Sequence, residues 1–244
     1  AAAACLRGGI GTLKVLCPEG ARQAFFALPE AMVYPAGPHW GSVDRGLVRA
    51  RLDEADCIAL GPGMGREEGV IDLLRLVLKT AKPCVIDADG LNALACLPED
   101  EKAALLHKGT VLTPHPGEMG RLTGLPVAAI AADMAAIAAQ YARRWGCTVL
   151  LKGDRSVIAG PDGLVKWNET GNAGLAKGGS GDVLTGIILA LLGQKLSPFA
   201  AACAGSYLLG ASASEALDLL QERALMAGDV ISAVAQTLDL LRKK

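Results

Sequence analysis

Short apolar runs rich in β-branched residues alternate along this chain with longer stretches of helical periodicity, and no other feature limits the fold as much. Parallel strands need a long crossover, normally a helix, so the pattern predicts βαβ units around a mostly parallel sheet. Strands are predicted at Leu13–Leu16, Met32–Tyr34, Cys57–Leu60, Cys84–Ile86, Val111–Leu112, Thr148–Leu151, Val157–Ala159 and Leu164–Lys166. Helices are predicted at Glu67–Lys79, Leu91–Cys96, Asp100–His107, Gly117–Leu122, Ala128–Trp145, Gly181–Leu192, Phe199–Leu220 and Gly228–Leu241. Asp154–Arg155 predicts a hairpin turn, and Asp162–Gly163 predicts a second, of type I′. Three strands run straight into turns with chemical character: Gly61-Pro62-Gly63-Met64-Gly65, Asp87-Ala88-Asp89-Gly90-Leu91-Asn92 and Thr113-Pro114-His115-Pro116-Gly117-Glu118. Ligands of open α/β sheets collect beyond the carboxyl ends of the strands, so these turns are expected to line one crevice.

The 244 residues, about half of them apolar, suffice for one sizeable core, and no repeat or linker divides them, so 1–244 is expected to be a single domain. Lys plus Arg number 24 against 25 for Asp plus Glu, a net charge of −1 that gives no reason to expect nucleic acid or a membrane surface. The partner is expected to be small. No uncharged apolar stretch reaches the ~18 to 20 residues that span a bilayer; Val183–Leu192 is too short, and Phe199–Leu217 carries Glu215 among Ala, Gly and Ser. The seven cysteines show no C-x-x-C pair and are expected to be small core hydrophobes in a reducing, cytoplasmic setting. Ala1–Cys5 lacks the basic start of a signal peptide, and without an initiator Met the chain is expected to be processed or cut from something longer.

The richest segment runs from Asn168 to Gly186, where five glycines gather ahead of an apolar helix. Free amides of a helix's first turn, with its dipole, attract phosphate oxygens, and glycine lets the phosphate reach the backbone. A carboxylate there, Asp182, is repelled by phosphate and makes sense as a base that takes a proton from an attacking hydroxyl. The competing reading is that Asp182 only stabilises the helix N-terminus. The segment is neither a Walker A loop nor a Rossmann fingerprint.

Other residues carry paired readings too. Lys152-Gly153-Asp154-Arg155-Ser156 either reaches a nucleotide, the lysine to a phosphate and the backbone to purine or ribose, or is a charged hairpin. His115, stiffened by Pro114 and Pro116, is either a ligand contact or part of a surface loop, with Glu118 a helix cap. Asp87 and Asp89 either organise Mg²⁺ waters or cap a helix, and Gly61–Gly65 either approaches a ligand or merely joins strand to helix. His39 and His107 are assigned no role.

Taken in order, the turns at Gly61–Gly65, Asp87–Asn92 and Leu112–Glu118, the Leu151-Lys152-Gly153 step and Gly178-Gly179-Ser180-Gly181-Asp182-Val183-Leu184-Thr185-Gly186 resemble the ADP/ATP-dependent NAD(P)H-hydrate dehydratases of the ribokinase-like superfamily. The resemblance implies a ribokinase-like three-layer α/β/α fold and repair of hydrated NADH or NADPH (NADHX, NADPHX), with Mg²⁺ and ADP or ATP as co-substrate and no direct metal ligand assigned. It implies that Asp182 is the base, that Gly65, His115 and Asp182 contact the hydrated dinucleotide, and that Lys152, Gly153, Asp154, Arg155, Ser156, Gly179, Ser180 and Gly181 hold the nucleotide. Phosphorylation would turn the C6 hydroxyl, a poor leaving group, into one that can be eliminated. Ser156 stands where many relatives have Thr and Ala173 where many have Pro. The family's first strand, with its glycine loop, is expected to be absent, and a fusion to an N-terminal NAD(P)H-hydrate epimerase is expected as one arrangement. A small-molecule kinase and a nucleotide-binding module without catalysis are the alternatives. The helices from Phe199 onward either pack on the sheet or bury a homo-oligomer interface.

Overall fold

The computed structural model describes residues 1–217 and 221–242. Its strands are β1 (Leu13–Cys17), β2 (Ala31–Pro35), β3 (Ile58–Leu60), β4 (Cys84–Ile86), β5 (Thr110–Leu112), β6 (Thr148–Leu151), β7 (Val157–Ala159) and β8 (Val165–Trp167). β3 to β8 form a six-stranded sheet in chain order, parallel from β3 to β6 and antiparallel at β7 and β8. The parallel strands are apolar on both faces because helices cover both. Ile86, Leu112 and Leu151 point to a layer built on Leu74, Leu91, Leu94, Met119 and Trp145. Val85, Val111, Leu150 and Ile158 point to the opposite layer, against Leu184, Ile188 and Ala201. The expected three-layer α/β/α arrangement is therefore present.

The helix Ser180–Gly193 is apolar almost all round, and the reason is its central position. Leu184 and Ile188 face the sheet, whereas Val183 and Ile187 face Val230 and Val234 of the helix Ala227–Arg242. Burial on both sides fixes its N-terminus. Among the described residues, no helix is long and apolar enough to cross a membrane.

β1 and β2 pair with each other in parallel and, among the described residues, with no strand of the larger sheet. They still lie in the middle layer, since Leu13 and Val15 pack toward the Leu184 side and Leu16 toward the Leu74 side.

Several expectations need correction. The stretch 128–145 is two helices, Val127–Ala132 and Met134–Trp145, because Asp133 leaves helical geometry (φ −146°, ψ 70°) and its carboxylate accepts from the Ala136 amide at 3.0 Å. The β7–β8 hairpin is not type I′. The Gly163 amide donates to the Gly160 carbonyl at 3.1 Å, and of Pro161, Asp162 and Gly163 only Gly163 has positive φ, so this is a type I turn followed by a left-handed glycine. Proline at the second turn position selects that geometry. An unexpected helix, Arg45–Glu54, is capped by Asp44, which accepts from the Gly46 and Leu47 amides. The helix expected to reach Leu220 runs Pro198–Ala216, and 218–220 lie outside the described residues. Cys5, Cys17, Cys84 and Cys147 are buried as expected and Cys57 and Cys203 half-buried, but Cys96 is exposed.

Candidate active site

The carboxyl ends of β3, β4, β5 and β6 bring the three turns to the start of the helix Ser180–Gly193. Gly61 ends β3 with φ +131°, and a Cβ there would lie 1.8 Å from the Asp87 carbonyl oxygen, so only glycine permits the approach. At the far end of this turn the Gly65 amide donates to Asp89 Oδ2 at 2.8 Å. Asp89 thus holds the glycine turn. Asn92 bridges onward, its Oδ1 accepting from Arg121 Nε at 2.9 Å.

Asp87 neither caps its helix nor stands free. It is 1 % exposed; Lys152 Nζ donates to its Oδ1 at 2.8 Å and the Thr185 hydroxyl to its Oδ2 at 2.7 Å. The next residue, Ala88, has φ +48°, a left-handed conformation that costs a non-glycine residue about 1–3 kcal/mol and is typical of functional sites.

His115 and Glu118 cap one helix reciprocally. His115 Nδ1 accepts from the Gly117 amide at 3.0 Å and the Glu118 amide at 3.3 Å, while Glu118 Oε2 accepts from the His115 amide at 2.8 Å. With Nδ1 as acceptor the ring proton sits on Nε2, and half of the side chain stays exposed. Both sequence readings of His115 therefore missed its local role. His115→Ala is expected to cost about 1 kcal/mol of stability and His115→Asn much less, because Asn is itself a strong cap, as chemical denaturation would report.

Lys152 ends β6, its amide donating to the Pro114 carbonyl at 2.8 Å. Its ammonium, besides meeting Asp87, lies 3.8 Å from Glu118 Oε2. In the turn beyond, the Gly153 amide donates to Ser156 Oγ at 3.3 Å and Asp154 is exposed. Arg155 turns away to pair with Glu169 and lies over the Trp167 ring, 5.5 Å from its centroid. A cleft of about 280 Å³ opens beside the turn, lined by Asp133, Met134, Asp154, Arg155 and Trp167 among others.

The glycine segment meets this cluster from the opposite layer. Gly179 caps the helix with φ +94°, and of the first-turn amides that of Ser180 donates to the Lys177 carbonyl at 3.4 Å. A Cβ on Gly181 would lie 3.4 Å from Lys152 Nζ and 3.5 Å from Asp87 Oδ2. Asp182, in the same turn, is half-buried, and among the described residues its carboxylate makes no hydrogen bond or ion pair. Lys177 points elsewhere, its ammonium donating to the Leu225 carbonyl at 2.8 Å. Ala173 is held likewise, its amide donating to Glu222 Oε1 at 2.7 Å, so the segment 221–225 braces the loop.

The fold thus gathers Gly181, Lys152, Asp87, Thr185 and Glu118 directly, with His115 joined through Glu118, while Arg155 and Lys177 make other contacts. Thr185 was given no role of its own in the sequence, although a hydroxyl within the apolar part of the helix, three residues after Asp182, was a usable signal. The helix start at Gly181 and the Lys152 ammonium in one place, with the Asp182 carboxylate in the same helical turn, suit a phosphoryl group and a hydroxyl to be deprotonated.

The family model for NAD(P)H-hydrate dehydratase matches residues 1–236. A bifunctional NAD(P)H-hydrate repair enzyme of Moorella thermoacetica is 44% identical over 252 residues, covering 100% of this chain but 47% of that protein. This chain therefore spans about half the length of such relatives. An ADP-dependent (S)-NAD(P)H-hydrate dehydratase of Neisseria meningitidis is 37% identical, covering 93% of this chain and 84% of that protein. Among solved structures, an ADP/ATP-dependent NAD(P)H-hydrate dehydratase from Bacillus subtilis, co-crystallized with ATP/Mg²⁺, superposes with TM-score 0.80 at 30% identity, covering 98% of this chain and 82% of that one. A ribokinase-like superfamily protein from Enterococcus faecalis superposes with TM-score 0.82 at 26% identity, covering 98% and 80%.

Proposed function

We propose that this chain, which belongs to the NAD(P)H-hydrate dehydratase family, removes water from hydrated NADH or NADPH while consuming ADP or ATP. The observation that carries the reading is the meeting of the Gly179–Gly181 helix start with the Lys152 ammonium, in the same turn as an unpaired carboxylate, Asp182. In the proposed reaction Asp182 takes the proton of the C6 hydroxyl, whose oxygen attacks the terminal phosphorus of the nucleotide. The bond to the leaving phosphate oxygen breaks, giving AMP from ADP or ADP from ATP. Loss of a proton from C5 and of phosphate from C6 then forms the ring double bond.

In this proposal the amides of Gly179, Ser180 and Gly181 stabilise charge on the transferring group. Lys152 and the turn Gly153-Asp154-Arg155-Ser156 hold the nucleotide, the turn through its backbone, because the Arg155 side chain is engaged by Glu169. Gly65, His115 and Asp182 contact the hydrated dinucleotide, with His115 Nε2 as a hydrogen-bond donor. Mg²⁺ fits as an ion carried on the nucleotide phosphates. Among the described residues no three His, Cys, Asp or Glu side chains converge on one point, and Mg²⁺ keeps several waters and few protein ligands. The epimerase expected from the sequence resemblance is the activity we propose for the other half of the bifunctional arrangement.

Incubation with hydrated NADH, Mg²⁺ and ADP or ATP should restore the absorbance of reduced nicotinamide at about 340 nm. A stable phosphoester accumulating in its place would identify a kinase, and neither product would leave the reading without support.

A further inference from the structure

Asp87 belongs to none of the proposed roles above, yet it touches both Lys152 and the helix that carries Asp182. It is a nearly inaccessible carboxylate at the end of β4, bonded to an ammonium at the end of β6 and to a hydroxyl on the helix that carries Asp182. Burying an unpaired carboxylate is costly, so Asp87 and Lys152 hold each other firmly. A free lysine is a flexible point charge on a four-carbon stem. Here one N–H is committed to Asp87, Glu118 stands 3.8 Å away, and the ammonium comes within 3.4 Å of a Cβ position on Gly181, leaving a donor for an oxygen bound at the helix start. Through Thr185 the same carboxylate ties down the first turns of that helix.

We infer that Asp87 is a positioning residue for phosphoryl transfer, acting through Lys152 and Thr185 to set the ammonium and the Asp182 helix in register before the nucleotide arrives. The inference rests on the proposed use of Gly179–Gly181 as the phosphate site. Misplacement of a catalytic group by about 1 Å can cost about 10²-fold in rate. Asp87→Asn keeps the volume and the acceptor for Thr185 but removes the charge that holds Lys152.

The test is a double-mutant cycle of Asp87→Asn and Lys152→Met, followed both by turnover of hydrated NADH and by calorimetric affinity for ADP with Mg²⁺. Each single variant is expected to lose about 10²-fold in kcat with the KM for hydrated NADH nearly unchanged, and the double variant to lose no more than the worse single, as for residues that act as a unit. Losses that multiply in the double variant, or parental turnover by Asp87→Asn, would overturn the inference. The calorimetric arm is independent of the acceptor. ADP affinity should fall alike in both singles and no further in the double even if the parent does not turn over hydrated NADH, and independent losses there would equally overturn it. If Asp87→Asn does not fold, Thr185→Ser and Thr185→Val replace it. The serine variant should keep kcat and the valine variant lose about tenfold, the effect of a missing hydrogen bond to a charged group; equal rates would contradict the inference.

Discussion

Asp182→Ala is expected to lower turnover by about 10²- to 10⁴-fold, the usual contribution of a positioned general base, while nucleotide affinity stays the same or rises slightly. The rise would come from removing a negative charge beside the phosphates. Asp182 lies in the first turn of the helix Ser180–Gly193, where a carboxylate also favours the helix dipole by about 0.3–1 kcal/mol. The two readings of this residue therefore differ in kcat. The melting temperature should fall by no more than about 4 °C on either, but a purely helix-stabilising Asp182 would spare kcat, whereas a base would cost it. Steady-state kinetics, on a preparation that thermal unfolding shows to be folded, separate them.

Gly61→Ala should have the largest effect on stability. The new Cβ would sit 1.8 Å from the Asp87 carbonyl oxygen and 2.8 Å from the Gly90 nitrogen, at φ +131°. Backbone strain of about 1–3 kcal/mol and overpacking of about 1–3 kcal/mol add to roughly 2–6 kcal/mol, since both obstacles are backbone and cannot swing aside. At about 2–4 °C per kcal/mol for a chain of this size, the melting temperature should fall by at least 4 °C and by as much as about 24 °C. Any folded remainder should also lose activity, because the displaced segment carries Asp87. A change in melting temperature below about 2 °C would show that β3 and β4 do not approach as described.

The architecture was largely legible because its periodicity is local. Cys84–Ile86 and Thr148–Leu151 are apolar on both faces and bounded by Pro83 and Asp87 or by Gly146 and Gly153, and both strands occur with those bounds. Where local signals were weak, boundaries slipped. Arg45–Glu54 spreads Leu47, Val48 and Leu52 among charged residues, so its periodicity hardly registers, and Asp133 breaks a stretch in which every neighbour favours a helix.

The site was legible as a set of turns, not as a network. Lys152 and Asp87 are 65 residues apart, and Thr185 and Asp87 are 98 apart. No local rule pairs them. Proximity along the chain is also no guide at Lys177, which adjoins the phosphate-type glycines yet anchors the loop to the Leu225 carbonyl. His115 gave a correct signal of a fixed ring, but the cap that fixes it depends on a side-chain geometry that Pro114 and Pro116 only suggest.

The central claim, that the glycine segment before Asp182 serves a transient phosphorylation that drives dehydration, is tested most directly by stoichiometry. ADP or ATP labelled in its terminal phosphoryl group should be consumed with hydrated NADH in a single time course, with label and reduced nicotinamide followed together. Each NADH restored should be matched by one labelled inorganic phosphate and one shortened nucleotide, with no lasting labelled dinucleotide. Restored NADH without nucleotide consumption, or label retained in a stable phosphoester, would contradict it.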